Sequence, residues 1–180
     1  MCSSDGSRVR RESHGVRFPG ATLPTLAFGR RILHCNVTKH PSSAWVIQQL
    51  REAFAYKSAP GYLILDRDAS FNEEVIDTVK SFGIRPKRTS FASPWQNGVG
   101  ERWVGNCRRD LLDHVIVLNE RHFKRLLNAY ILYYHDDRTH LAFAKGTPAG
   151  REPEKNPNLG CRVVSMPRLG GLQHRYGLGA

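Results

Sequence analysis

No apolar run in the chain approaches the length of a membrane span, and the start, Met1-Cys2-Ser3-Ser4-Asp5, has no signal-peptide core. A membrane partner is therefore not expected. Cysteine is sparse: four residues, at positions 2, 35, 107 and 161, with no CxxC spacing. That pattern supports neither a disulfide framework nor a zinc site, and it reads as free thiols in a cytoplasmic protein. Acidic side chains are also in short supply, 16 against 27 Lys plus Arg in 180 residues, for a formal net charge of +11. The length allows one domain with a sizeable core, plus tails.

The positive charge is unevenly spread. Residues 1–31 carry six basic and two acidic side chains, residues 32–83 five and six, residues 84–126 nine and four, residues 127–150 two and two, and residues 151–180 five and two. One patterned block and both ends hold the excess. A basic stripe on a folded element is the footprint of a protein that neutralises phosphates and releases their counterions, so a nucleic acid is the expected partner, the alternative being a merely soluble basic protein.

Residues 1–29 show no sustained periodicity and read as a disordered or unrelated leader. Arg31 to Thr38 alternates as a strand, with Ile32, His34 and Asn36 on one face and Leu33, Cys35 and Val37 on the other. A helix capped by Ser42 or Ser43 runs to Phe54, its apolar positions Val46, Ile47, Leu50, Ala53 and Phe54 at helical spacing. Tyr62 to Leu65 reads as a short strand buried on both faces. A second helix spans Asn72 to Phe82 with Gly83 placed to end it, and Ile84 to Thr89 returns as an extended basic segment. A loop, Ser90 to Asn97, leads into a helix from Gly98 to about His114. A last helix, capped by Asn119, turns Phe123, Leu126, Leu127, Tyr130 and Tyr134 inward. Residues 150–180, basic and rich in Gly and Pro, read as a disordered tail. Alternating strands and helices over 30–149 predict an α/β domain with a small, partly parallel sheet.

Two carboxylates stand out within that frame. Asp66 ends the apolar run Tyr62-Leu63-Ile64-Leu65, at the strand edge where α/β folds place ligands, and Glu101 follows 34 intervening residues later on the first turn of a basic helix. Gly105 and Arg108, at i+4 and i+7 from Glu101, share its stripe, which would let the backbone approach a polyanion with Arg108 near its phosphates. Converging carboxylates repel, so such a site favours a cation, and an oxygen-only ligand set suits Mg²⁺ or Mn²⁺ rather than zinc.

The motifs around these residues form a recognisable set. Ser93-Pro94-Trp95-Gln96-Asn97-Gly98-Val99-Gly100-Glu101-Arg102, the strand end Leu65-Asp66-Arg67-Asp68, and the closing stretch Tyr133-Tyr134-His135-Asp136-Asp137-Arg138-Thr139-His140-Leu141 with Thr147-Pro148 resemble the DDE integrase core. That ribonuclease-H-like fold is the catalytic domain of insertion-sequence transposases and retroviral integrases. The resemblance implies a polynucleotidyl transferase by descent, with Asp66 and Glu101 as the second and third catalytic and metal-binding carboxylates. It makes Lys87, Arg88, Gln96, Asn97, Arg102, Arg108 and Arg109 the DNA-contact candidates, Arg102 being the one most suited to a structural role. Asp68 is a neighbour of the site and not a ligand. Trp95 serves either as a base-stacking platform or as a loop anchor, Trp103 and Tyr134 as core, and His140 as a packing or hydrogen-bonding residue.

The resemblance is incomplete at one place. In this fold the central first strand carries the first aspartate, which is shared by both metals. The corresponding segment here, Ala21 to Gly29, has no aspartate before it, only Asp5 and Glu12 in the leader. The expectation is an N-terminally truncated core over residues 30–149, its first strand missing, involved by descent in DNA integration or transposition and catalytically defective alone. The alternatives are a basic DNA-binding module that has lost its chemistry, a still active metal-dependent strand transferase, and the unstable product of a decayed mobile element. The reading leaves a homo-oligomer open and places the protein in the cytoplasm, at the nucleoid if the source is bacterial.

Overall fold

The structure is a computed structural model that describes residues 17–18, 21–22, 25–28, 31–55, 60–154 and 162–179, with side chains from residue 31 onward. Eight strands and four helices follow in the order β1 (Arg17–Phe18), β2 (Ala21–Thr22), β3 (Thr25–Phe28), β4 (Arg31–Cys35), α1 (Ser43–Phe54), β5 (Tyr62–Leu65), α2 (Glu73–Ser81), β6 (Arg85–Arg88), α3 (Gly98–Asp110), α4 (Glu120–Asp136), β7 (Arg162–Arg168) and β8 (Gln173–Gly179). Ser42 and Asn119 cap their helices as expected, and Asn72, read from the sequence as the start of its helix, is a cap as well. Ser42 accepts from the Trp45 amide, Asn72 from Val75 and Asn119 from His122, each satisfying an amide that has no partner within its helix. Gly83, at φ 75°, supplies the left-handed residue that stops α2 and turns the chain into β6.

β5 and β6 pair in parallel, Tyr62 to Arg85 through Leu65 to Arg88, with α2 as the crossover. β3 and β4 pair antiparallel. Among the described residues no strand joins these two halves, which stand as separate two-stranded sheets. Helix α1 bridges them from one side. Its Val46, Ile47, Leu50 and Phe54 form a core with Val75, Val79 and Ile84, against which Leu33 of β4 and Leu63 of β5 pack. The second core lies under α3 and α4, where Trp103, Cys107 and Leu111 meet Phe123, Leu127, Tyr130 and Tyr134, with Ile32 and Val37 beneath them.

Three features depart from the sequence pattern. Strict alternation fails in β4 because of a bulge: Leu26 pairs with His34 and Ala27 with Ile32, so Leu33 has no opposite residue. Ile32 and Cys35 then pack on the α3–α4 core, while Leu33 packs toward α1. His34 and Asn36 also turn to α1, both bonding Gln49 Oε1, at 2.8 and 2.7 Å. β5 is covered on one face only. Leu65 is buried and Leu63 half-buried, but Tyr62 is 64% and Ile64 40% exposed. The expectation of burial on both faces required a neighbouring layer that the described residues do not supply.

The third departure concerns the expected disordered tail. Residues 162–179 are an antiparallel hairpin in seven-residue register, turned at Gly170 and Gly171, whose φ values are 69° and 94°. Leu169 and Leu172 pack on the α3–α4 core, and Gln173 donates to the Asp110 carbonyl at 3.1 Å. Likewise β3, within the expected leader, is a paired strand; residues 1–16 lie outside the described part.

One fastening in the second core is acid-sensitive. The Ile32 amide donates to His135 Nε2 at 2.9 Å, tying β4 to α4 through a neutral imidazole. Burial, then the Arg31 charge, lower the His135 pKa against an opposing pull from Asp136. The folded chain therefore takes up this proton less readily than the unfolded chain, and stability falls as pH drops below the ordinary histidine value. His135→Gln, whose amide oxygen can still accept, is expected to flatten the dependence of Tm on pH between 7 and 5.

Candidate catalytic and nucleic-acid site

The parallel pair delivers Asp66 immediately after β5, and two bonds hold that end in place. Thr89 N donates to Leu65 O at 3.0 Å, and Arg67 Nε reaches the Thr89 carbonyl at 2.8 Å. Asp68 closes a local turn by accepting from Ser70 N at 2.8 Å and Ser70 Oγ at 2.6 Å.

The loop from Ser90 to Asn97 ends in a 3-10 turn, Pro94–Asn97, that runs into α3. Gln96 braces this loop, taking the Ser90 amide at 2.6 Å and donating to its hydroxyl at 3.1 Å. Asn97 turns inward, its Nδ2 lying 3.3 Å from each carboxylate oxygen of Asp66. Gly100 makes room for it, since a Cβ there would lie 3.0 Å from Asn97 Oδ1.

Glu101 stands on the first turn of α3 and is exposed there. Desolvation first, then the charge of Asp66, raise the Glu101 pKa above the ordinary carboxylate value. The raised value means that ionised Glu101 costs stability. Its contribution is most favourable in acid and is lost as pH rises through the raised pKa. Glu101→Gln is expected to raise Tm at neutral pH without added metal, and the gain should shrink below the carboxylate range.

The other DNA-contact candidates separate into two groups. Lys87, on β6, and Arg102, on α3, are exposed and make no hydrogen bond or ion pair among the described residues. Arg102 therefore does not show the structural role its sequence position suggested. The remainder are engaged: Arg88 donates to the Phe71 carbonyl, Arg108 lies 3.4 Å from Asp113, and Arg109 bonds Asn106 Oδ1 at 3.0 Å. Gly105 serves this last interaction, because a Cβ there would lie 3.0 Å from the Arg109 guanidinium. Its missing side chain admits Arg109, where the sequence suggested an approaching polyanion. Trp95 is 72% exposed, which removes the loop-anchor reading. Phe91, in the same loop and 85% exposed, is a stacking face that the motif does not single out; an aromatic in a polar loop is the signal that marks it.

Behind the site, Trp103 and Tyr134 are core residues whose rings meet edge-on at 4.7 Å. His140 is buried edge-on against Tyr134 at 4.8 Å, the packing role expected of it. Asp110 closes α3 onto its neighbours, accepting from Tyr130 Oη at 2.8 Å and pairing with Arg138 at 3.0 Å.

Comparison with known proteins supports an α/β fold of the ribonuclease-H-like integrase-core type around this β-α-β unit. Residues 82–148 match the family model of the integrase core domain. A chain from the cryoEM structure of the simian T-cell lymphotropic virus intasome in complex with PP2A regulatory subunit B56 gamma shares the fold, with a TM-score of 0.53 at 15% sequence identity. The match covers 89% of this chain and 65% of that chain, so the protein spans less than two thirds of its neighbour's length. No curated protein matches the sequence.

Proposed function

We propose that the chain is a DNA-binding integrase core from a protein of DNA integration or transposition, in which Asp66 and Glu101 can hold one divalent ion but do not support strand transfer. The observation that carries this reading is the integrase-core match over residues 82–148, which takes in Glu101 on the first turn of α3 beside the basic strand β6, with Asp66 at the end of the strand that β6 pairs with. Two carboxylates give hard oxygen ligands suited to Mg²⁺ or Mn²⁺. Such an ion would polarise a phosphate oxygen and offset the negative charge facing DNA. Among the described residues no group of three or more His, Cys, Asp or Glu is placed to hold a metal. Transfer by paired ions needs a further ligand shared between them.

Lys87 and Arg102 are the cations open to phosphate, and Phe91 and Trp95 offer stacking faces on the adjoining loop. Fluorescence anisotropy against salt tests this. Duplex binding should weaken steeply with salt, and Lys87→Ala with Arg102→Ala should reduce the log–log slope by about two, one for each phosphate that is no longer neutralised. Arg109→Ala should change it less, because that guanidinium is spent on Asn106. A slope indifferent to the Lys87 and Arg102 changes would move DNA off this face. The neighbouring fold comes from an assembly named an intasome, which extends the proposal to a homo-oligomer on DNA; sedimentation with and without duplex checks it.

A further inference from the structure

A second basic concavity lies away from the carboxylates, between the end of α4, the segment 138–154 and the β7–β8 hairpin. It encloses about 660 Å³, within the range of small-ligand sites. Arg138, Lys145, Arg151 and Arg175 line it against two carboxylates, Asp137 and Glu154. Most of these groups are already committed. Arg138 pairs with Asp110, and Arg151 donates to the carbonyls of Asp136 and Asp137. Glu154 accepts from the Leu178 amide, and Asp137 is buried between Arg168 and Arg175.

Two cationic groups are left with donors to spare. Lys145 has no ion-pair partner among the described residues, and it is held at φ 70° directly after Ala144 at φ 48°. Two consecutive left-handed non-glycine residues are unfavourable backbone, maintained here by the amide of Lys145 bonding the His140 carbonyl. Arg175 lines the cavity with its side chain one-third exposed, and its Nη1 lies 3.6 Å from Asp137 Oδ1, too long for a hydrogen bond. His174 and Tyr176 complete the wall with rings 6.2 Å apart, and Tyr176 is 62% exposed.

We infer that this cavity binds one nucleotide unit of a DNA strand, with the phosphate on Lys145 and Arg175 and the base against Tyr176. The inference rests on the DNA-binding reading and assigns a role to charge in the C-terminal hairpin, which the carboxylate face does not use. Anion recognition accounts for the spare donors, and the exposed ring accounts for selection of a base-bearing phosphate over a bare one.

The test measures three probes with the full chain: inorganic phosphate, a deoxynucleoside monophosphate, and a short labelled single strand. The strand should bind most tightly and phosphate least. Lys145→Glu and Tyr176→Ala should each weaken strand binding about ten-fold or more, in keeping with the loss of a charged hydrogen bond or a stacked base. Neither change touches the Asp137 ion pairs, and an unaltered Tm confirms that the fold is kept. Arg175 is left in place because it neutralises buried Asp137. Lys87→Ala with Arg102→Ala, on the carboxylate face, should leave monophosphate affinity unchanged, so failure of duplex binding and failure of this pocket are read separately. Strand affinity indifferent to both Lys145→Glu and Tyr176→Ala overturns the inference. So does loss confined to the free monophosphate, which would make the cavity a small-molecule site.

Discussion

Trp103→Ala is expected to lower stability by about 3–5 kcal/mol, the cost of deleting a buried aromatic and leaving a cavity. Trp103 is 1% exposed and sits on α3 two residues after Glu101, with its ring 5.4 Å from Tyr130 and 4.7 Å from Tyr134. Those two tyrosines have further partners of their own. Tyr130 bonds Asp110, and Tyr134 lies under the Arg138 guanidinium at 5.7 Å and against His140. Removing the indole therefore loosens the surface that seats α3 against α4, and with it the angle at which α3 presents Glu101. Since small domains are stable by roughly 5–15 kcal/mol in all, a large fraction of the folding free energy is at stake. Urea unfolding followed by far-UV circular dichroism measures it. Trp103→Phe, which keeps an aromatic edge for Tyr134, should lose substantially less. Equal losses for the two would mean that volume at this position is not what supports α3.

The parts of the fold visible in the sequence are those set by local chemistry. Caps at Ser42 and Asn119, the stop at Gly83, and the helical spacing of Phe123, Leu127, Tyr130 and Tyr134 each depend on residues within a turn or two of one another. What the pattern missed is set at long range. The β4 bulge is invisible until Leu26 and Ala27 fix the pairing, and it alone sends His34 toward Gln49. The hairpin at 162–179 is poor in conventional strand pattern, with Pro167 and two glycines in β8. Its order comes from Leu169, Leu172, Gln173 and Arg168 meeting α4 and the end of α3. Of the candidate site, the motif identified Asp66, Glu101 and their loop. It could not show that Asn97 turns toward Asp66 while Arg109 folds onto its own helix, because both depend on space left by Gly100 and Gly105.

Asn97→Asp should turn the carboxylate pair into a metal-dependent structural element. The Asn97 amide lies 3.3 Å from both oxygens of Asp66 and is the neutral donor that shields this carboxylate. An aspartate there removes the donor and adds a third negative charge beside Asp66 and Glu101, whose pKa is already raised by burial and by the Asp66 charge. Without metal the variant should lose about 1–3 kcal/mol, the range for a hydrogen bond to a charged group replaced by repulsion. Mg²⁺ or Mn²⁺ should restore that loss by mass action, raising Tm in proportion to the logarithm of metal concentration once the site is saturated. The parent chain, with two carboxylates, should respond weakly to the same titration. Glu101→Gln placed on top of Asn97→Asp should recover stability in the absence of metal and blunt the metal response, because it removes one charge from the cluster and one ligand from the ion. An Asn97→Asp chain that is as stable as the parent and indifferent to Mn²⁺ would show that position 97 does not look onto a shared ion, and the two-carboxylate site would then have to be abandoned as a metal site.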